Sequence, residues 1–318
     1  MKNETICVIG MSGYVGSHVT AELLNQGYSV NGTLRDPQGP HAGWIERELM
    51  PLAQSGQALQ VCAAEISDQD SLEKAMTGCT GVIMCAGVET QSPETITLMV
   101  GAAENTLNAA LKLGIHRAVF TSSTGATNPP DGEPPMKDEM IHWSDPDQQI
   151  SVGKYSPAAK TLMDRKALEM METYPTLRVS TINPSMIAGS VFQDQPTTTL
   201  KSVRAILKKE RMADSIPNGS MSIIDVNDLA KLHIAALENE SASGRYFGLK
   251  QSWHWKEILA AYSRVYPAYT PPAWPADMEP VTATQFDFTR RDSLGVELKD
   301  LDEILGGLIH ELKRREML

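Results

Sequence analysis

The segment Ile6-Cys7-Val8-Ile9-Gly10-Met11-Ser12-Gly13-Tyr14-Val15-Gly16 constrains this chain more than any other stretch. An unbroken apolar run, the signature of a buried parallel strand, enters three glycines at a spacing of three residues. Helical periodicity follows, with Val15, Val19, Leu23 and Leu24 on one side. Strand, tight turn and helix N-terminus in that order make a phosphate site. Gly10 permits the turn, Gly13 lets backbone N–H groups approach a pyrophosphate, and Gly16 allows close helix–strand packing. The spacing is GxxGxxG rather than GxGxxG. With both flanking patterns present, it reads as a dinucleotide-binding turn rather than a plain strand-to-helix connection.

Bulk properties exclude several alternatives. A chain of 318 residues is long enough for one large α/β domain with a smaller companion. A net charge of −11 argues against a nucleic-acid surface. The one basic run, Lys313-Arg314-Arg315, reads as the solvated last turn of a helix. Cys7, Cys62, Cys79 and Cys85 lie in or beside apolar runs, without metal-ligand or disulfide spacing, and read as buried free thiols. Met1-Lys2-Asn3-Glu4 carries no apolar leader, and no stretch approaches the length of a membrane span. The expectation is a cytoplasmic protein without metal, membrane or nucleic-acid partner, acting as a monomer or homodimer.

Strand and helix patterns alternate up to Pro184, which predicts a doubly wound parallel sheet. The spacing predicts strands over Tyr28–Leu34, Ala58–Ala63, Gly81–Cys85, Ala118–Thr121 and Arg178–Ile182. Helices are expected near 44–54, over Asp70–Met76 and over Pro93–Leu113. Asn128–Gln149 is rich in proline and acids, a loop long enough to suggest closure over a site. A helix is expected to open at Ser156-Pro157, with Ser156 as N-cap and Pro157 at the first helical position. Beyond Pro184 the alternation decays. Helical pieces near 198–209 and 226–239 flank a strand at Met221–Ile224, and Gly244–Phe247 reads as another strand. The last helix, about 300–315, places Leu301, Ile304, Leu305, Leu308 and Leu312 on one face. Residues 1–183, with a contribution from 221–250, form the expected dinucleotide-binding domain. Residues 184–220 and 251–318 form a smaller substrate lobe.

These landmarks together resemble the extended short-chain dehydrogenase/reductases, particularly the dihydroflavonol reductase and cinnamoyl-CoA reductase group. The likeness runs through Gly10–Gly16, Thr33-Leu34-Arg35-Asp36-Pro37, Val119–Gly125, Trp143-Ser144-Asp145, Ile182-Asn183-Pro184, Ile224–His233 and Gly244-Arg245-Tyr246. It implies an α/β Rossmann fold and a nicotinamide cofactor bound by Gly10, Ser12, Gly13, Tyr14, Val15 and Gly16. Glu65 and Ile66 would lie beside the adenine, with Glu65 where the family usually has Asp. Cys85, Ala86, Lys160, Pro184 and Ile187 complete the cofactor set that the resemblance implies. In this fold a carboxylate after the second strand holds the ribose diol of NAD, whereas Arg there pairs with the 2′-phosphate of NADP. Both are present, Arg35 and then Asp36. A guanidinium grips phosphate bidentately even beside a carboxylate that faces water, so NADPH is the expected cofactor.

The resemblance implies Ser, Tyr and Lys as the catalytic set, with Lys four residues after Tyr. Ser123 and Lys160 fit. The tyrosine does not, because Tyr155 precedes Lys160 by five residues, about 140° around a regular helix. Either Tyr155 lies just outside the helix and folds back toward the nicotinamide, or the phenol is lost and Ser156 or water takes its space. His233 reads as a helix residue bonded to its surroundings. Met136, Met140, Trp143 and Met186 are candidates for an adaptable apolar pocket. The first reading is an NADPH-dependent reductase of a small ketone or aldehyde using Ser123, Tyr155 and Lys160. The alternatives are a catalytically impaired dinucleotide-binding regulator and an NAD-dependent nucleotide-sugar epimerase or dehydratase. The latter would need basic groups such as Arg204, Lys208, Lys209 and Arg211 for a substrate diphosphate.

Overall fold

The computed structural model describes Lys2, residues 4–87 and residues 91–318. Met1 and Asn3, part of the N-terminal segment considered above, lie outside the described residues, as do residues 88–90. In chain order the first half comprises β1 (Thr5–Ile9), α1 (Tyr14–Asn25), β2 (Ser29–Leu34), α2 (Ala42–Glu48), β3 (Leu59–Ala63) and α3 (Gln69–Met76). Then come β4 (Gly81–Met84), α4 (Glu94–Lys112), β5 (Arg117–Thr121), α5 (Pro146–Ser151), α6 (Tyr155–Thr173) and β6 (Arg178–Pro184). The remainder holds β7 (Met186–Ala188), α7 (Thr198–Leu207), β8 (Ser220–Asp225), α8 (Val226–Glu238), β9 (Gly244–Gly248) and β10 (Gln251–His254). It ends with α9 (Trp255–Val265), α10 (Thr289–Asp292) and α11 (Leu301–Arg314).

Seven parallel strands form the main sheet in the order β3-β2-β1-β4-β5-β6-β9. The central strands are unbroken apolar runs because helices cover both faces: every residue of β4 is buried. On one face, Val19, Leu23 and Leu24 of α1 and Leu229, Leu232 and Leu237 of α8 pack on Ile6, Val8 and Ile83. On the other, alanines of α4 (Ala102, Ala103, Ala109, Ala110) bring α6 close through Ala159, Met163 and Ala167. The order reverses between β1 and β4, and in open α/β sheets the crevice at that switch point is where ligands bind.

A second sheet, β10-β8-β7, pairs β7 with β8 in parallel and β10 with β8 antiparallel. It shares a core with α7, α9 and α11 through Leu200, Val203, Ile258, Leu259, Tyr262, Ile304, Leu305 and Leu308. The strand expected at Met221–Ile224 belongs to this smaller sheet, whereas Gly244–Phe247 joins the large one.

Three expectations need correction. First, α6 opens at Tyr155 with Lys154 as N-cap, so Ser156 is not the cap and Tyr155 is not outside the helix. The cause is the bond from the Ala158 N–H to the Lys154 carbonyl (3.1 Å), which commits the turn one residue earlier. Pro157 tolerates this because first-turn residues need no N–H partner. Second, the 128–149 loop is pinned along the β9 side of the sheet. Lys137 forms an isolated bridge with Phe286, its N–H bonding Gln285 O and its carbonyl accepting the Asp287 N–H, and Glu139 accepts the Phe247 N–H at 3.4 Å. Third, the basic run is the last turn of a helix with Lys313 and Arg314 exposed, as expected, but Arg314 and Arg315 are not free charges: both bind the Glu311 carboxylate, which is 2% exposed, and both reach backbone carbonyls of the loop after β7. Of the four free cysteines, Cys7 and Cys79 are buried as expected, while Cys62 and Cys85 are only half-buried.

Candidate active site

The glycine turn sits at the carboxyl end of β1. Gly10 has φ +83°, a left-handed conformation suited to glycine, and a Cβ there would lie 2.7 Å from the backbone of Ala86 after β4. A Cβ on Gly16 would collide with the Gly10 carbonyl oxygen. The turn closes by a 3.0 Å bond from Gly13 N–H to Gly10 O, and Thr33 Oγ1 accepts the Gly10 N–H at 3.0 Å. Helix α1 starts from Gly13 with no side-chain cap and no acidic residue in its first turn. Its leading N–H groups and the positive end of its dipole face outward past an exposed Gly13 and a half-buried Ser12 and Tyr14. Val15 and Gly16 are buried behind them. An uncapped helix start behind a turn too tight for side chains fits a dinucleotide pyrophosphate.

The neighbouring strand ends supply the rest of the crevice. Arg35, beyond β2, is exposed and makes no hydrogen bond or ion pair among the described residues. Asp36 is occupied by its own turn, its Oδ1 accepting the Gln38 N–H at 3.0 Å. Beyond β3, the Glu65 side chain is exposed while its backbone N–H is held by Ser71 Oγ at 3.0 Å. Ile66 is half-buried, and its carbonyl accepts from Asn105 at 3.0 Å. The Cys85 N–H bonds Ile9 O at 2.8 Å, and burial pushes its thiol up to about 12, so it stays protonated. Pro184 ends β6, and Ile187 lies in β7 opposite Ile224.

Ser123 lies just beyond the end of β5, and Lys160 is tied to the last residue of that strand. Ser123 Oγ accepts the Gly125 N–H at 3.0 Å, which leaves its own hydroxyl proton free to be donated. Lys160 Nζ donates to the Thr121 carbonyl at 2.6 Å, and burial lowers its pKa to about 8 against the opposing pull of Asp164 and Cys85. Tyr155, first in the helix, is half-buried, and its hydroxyl makes no hydrogen bond among the described residues. Along the regular helix it stands about 140° from Lys160, whereas Ser156, four residues before Lys160, shares its face. The expected placement of Tyr155 outside the helix, before a Ser156 cap, therefore does not occur. His233 is buried and bonded through Nε2 to Thr121 Oγ1 and through Nδ1 to Leu229 O, both at 2.8 Å. Burial lowers its pKa to about 4, so it is a neutral strut.

Behind this edge lies a support that the sequence did not announce. Asn183 Nδ2 donates to both the Ser123 carbonyl and Asp164 Oδ2, each at 3.0 Å. Arg245, on β9, approaches Asp164 at 3.6 Å and donates to Ala126 O (2.7 Å) and His142 O (3.0 Å). Burial nevertheless raises the Asp164 carboxyl above its ordinary range. The four apolar residues proposed for a pocket have different surroundings. The Trp143 ring carries Arg245 at 3.7 Å, Met136 and Met140 are exposed, and Met186 packs on the smaller core. A surface depression of about 830 Å³ lies away from this edge, among Trp253, Lys256, Arg264 and Asp300 of the smaller unit. Of the basic groups a nucleotide-sugar diphosphate would need, Arg204 is paired with Glu210 at 2.8 Å.

Residues 6–247 match the NAD dependent epimerase/dehydratase family. Cinnamoyl-CoA reductase 1 of Oryza sativa subsp. japonica is 31% identical over 308 residues, covering 96% of this chain and 89% of its own. Cinnamoyl-CoA reductase 1 of Petunia hybrida is 29% identical over 320 residues, covering 99% and 94%. The fold is that of vestitone reductase from alfalfa (Medicago sativa L.), with TM-score 0.84, 24% identity and coverage of 99% of this chain and 100% of that one. It is also that of the yeast methylglyoxal/isovaleraldehyde reductase Gre2 complexed with NADPH, with TM-score 0.83, 19% identity and the same coverage. With the glycine turn, the strand order and a family match over most of its length, the chain belongs to the NAD dependent epimerase/dehydratase family, among the extended short-chain dehydrogenase/reductases, and is an oxidoreductase acting on carbonyl and alcohol groups.

Proposed function

We propose that this chain is an NADPH-dependent reductase of a ketone or aldehyde, working at the edge formed by Ser123, Ser156 and Lys160. The observation that carries the reading is the pairing, at the end of β5, of a Ser123 hydroxyl with its proton free and a Lys160 ammonium held on the Thr121 carbonyl, in a sheet whose β1 leads into the uncapped start of α1. Preference for NADPH is supported by Arg35, which is exposed and unpaired among the described residues, while Asp36 is spent on its own turn. The NADPH in the Gre2 complex agrees with this.

Bound there, NADPH supplies a hydride to the carbonyl carbon. The remaining work falls to this chain. Ser123 donates its hydroxyl proton in a hydrogen bond to the carbonyl oxygen, drawing the π pair onto that atom. Lys160, fixed by Thr121 O, holds positive charge where negative charge develops. An ammonium with a pKa of about 8 is protonated at neutral pH yet acidic enough to give its proton up. Ser156, on the same helix face, relays it: its hydroxyl gives a proton to the alkoxide and takes one from Lys160, which recovers it from solvent. Tyr155, turned away from Lys160, is a wall of the entrance in this reading.

The test is direct. Purified protein is given NADPH with aryl ketones, β-keto esters and aldehydes, and absorbance of the reduced cofactor is followed. Consumption with at least one carbonyl class is expected. A protein that binds NADPH and oxidises it with none of them refutes the assignment.

A further inference from the structure

The loop from Gly189 to Thr197 belongs to neither sheet, yet it is fastened from several sides. Arg315 donates to the carbonyls of Val191 (2.8 Å), Gln193 (2.6 Å) and Asp194 (2.9 Å), and Arg314 donates to Val191 O (3.1 Å). Both guanidiniums are oriented by Glu311. Burial alone pushes that carboxyl up, but the two arginines outweigh it and hold it below its ordinary range. From the other side, Arg47 at the end of α2 grips the Asp194 carboxylate at 2.7 Å. Phe192 packs its ring against that of His18 at a tilt of 43°, with centroids 4.6 Å apart, and His18 bonds Ser190 Oγ at 3.3 Å.

The side chain presented by this strap is Gln193, and it reaches the glycine turn. Its Nε2 donates to Ser12 O and Gly13 O, each at 3.1 Å, and to Ser17 Oγ at 3.0 Å. In a planar trans peptide the carbonyl and the following N–H point in opposite directions, so a clamp on one end aims the other. Holding Gly13 O fixes the direction of the Tyr14 N–H, the first donor of α1. Gly13 lacks a Cβ, is exposed and precedes a helix with no side-chain cap, so the Gln193 amide adds a second bond to a carbonyl that otherwise accepts, among the described residues, only the Ser17 N–H at 2.9 Å.

We propose that Gln193 is a positioning residue for the dinucleotide pyrophosphate, and that α11, through Arg315 and Arg314, sets cofactor affinity by holding the strap in place. The proposal rests on the dinucleotide reading of the turn, but not on the choice of NADPH or on carbonyl chemistry. Losing the clamp removes pre-orientation of neutral donors, each contributing on the order of 1 kcal/mol, so affinity changes of about 3- to 10-fold follow.

The experiment compares Gln193→Met, Gln193→Glu and Arg315→Ala with the parent protein. It measures NADPH dissociation constants by calorimetry, melting temperatures without cofactor, and kcat and carbonyl KM at saturating NADPH. Gln193→Met and Arg315→Ala are expected to weaken NADPH about 3- to 10-fold while kcat at saturation holds. Gln193→Glu should be worse than Gln193→Met, because it turns a donor into a charged acceptor against two carbonyls. Arg315→Lys should recover only part of the loss, since an ammonium cannot span three carbonyls. Unchanged dissociation constants in Gln193→Met and Arg315→Ala, with or without lower melting temperatures, overturn the proposal. Should Arg315→Ala not fold, Gln193→Met on the half-exposed loop decides alone. If the parent binds NADH instead, the same series with NADH gives the answer, because both cofactors share the pyrophosphate. A parent that binds neither overturns it.

Discussion

Lys160 ties the proposed chemistry to a measurable pH. Its ammonium is held at about 8 because burial disfavours charge there more than Asp164 restores it. If the protonated form delivers the proton, the rate follows the protonated fraction. That fraction is about nine-tenths at pH 7 and about one-tenth at pH 9 for a pKa near 8. Single-turnover reduction at saturating NADPH should therefore fall about tenfold between those pH values, approaching one decade per unit above pH 8. Single turnovers are needed because product release would flatten the curve. A phenol donor with an ordinary pKa of about 10 would leave the rate nearly level up to pH 9. Substitutions sharpen the choice. Ser156→Ala breaks the relay and should cost on the order of 10²-fold, the lower range for loss of general acid catalysis. Tyr155→Phe should stay within about twofold, since its hydroxyl is given no proton to pass. A level profile up to pH 9.5, or a 10²-fold loss in Tyr155→Phe with Ser156→Ala intact, would refute the reasoning and return the phenol to the centre.

Other outcomes follow from single side chains. Arg35→Ala should raise the NADPH dissociation constant about 10- to 100-fold, the worth of one or two charge-assisted bonds at a screened rim, and leave NADH binding and melting unchanged; equal binding of both cofactors to the parent protein would contradict this. Gly16→Ala drives a methyl into the Gly10 carbonyl oxygen, so thermal melting should drop by the equivalent of about 1–3 kcal/mol or more, and calorimetry should find NADPH binding lost. Glu139 is 1% exposed, and burial raises its carboxyl to about 7. The stability it contributes is full below about pH 4.5 and lost as pH rises through 7. Glu139→Gln should therefore raise the melting temperature at pH 8, by the equivalent of up to about 3 kcal/mol, and change little at pH 4.5.

What could be read from the chain alone follows the range over which the determining forces act. The β1–turn–α1 unit was legible because apolar runs, glycine spacing and helical periodicity are all local. Ser156-Pro157 carries two valid signals for a helix start, yet the helix begins at Tyr155, because the Lys154 carbonyl captures the Ala158 N–H first. That single residue decides whether Tyr155 or Ser156 stands over Lys160. Arg314 and Arg315 looked like ordinary C-terminal charges, since nothing nearby announces Glu311 as buried or Val191–Asp194 as their acceptors. β7 is three residues long, too short for any period to register. Gln193 acts on residues far earlier in the chain, so its role appears only once the fold is closed.

The placement of β9 has a consequence for how this molecule is made. The chain completes β6, departs to lay down β7 and β8 of the smaller sheet, returns to add β9 as the last strand of the large one, and then supplies β10. During synthesis β6 is therefore an open edge, its backbone groups unpaired, until the ribosome has released Gly244–Gly248. The same strand brings Arg245, so until that moment Asp164 on α6 lacks the guanidinium that lies 3.6 Å from it. A nascent chain ending near residue 190 would combine a bare strand edge with an incompletely compensated carboxylate, the combination that invites aggregation or chaperone capture. Such fragments should be insoluble, and solubility should return in one step as the released length passes Gly248.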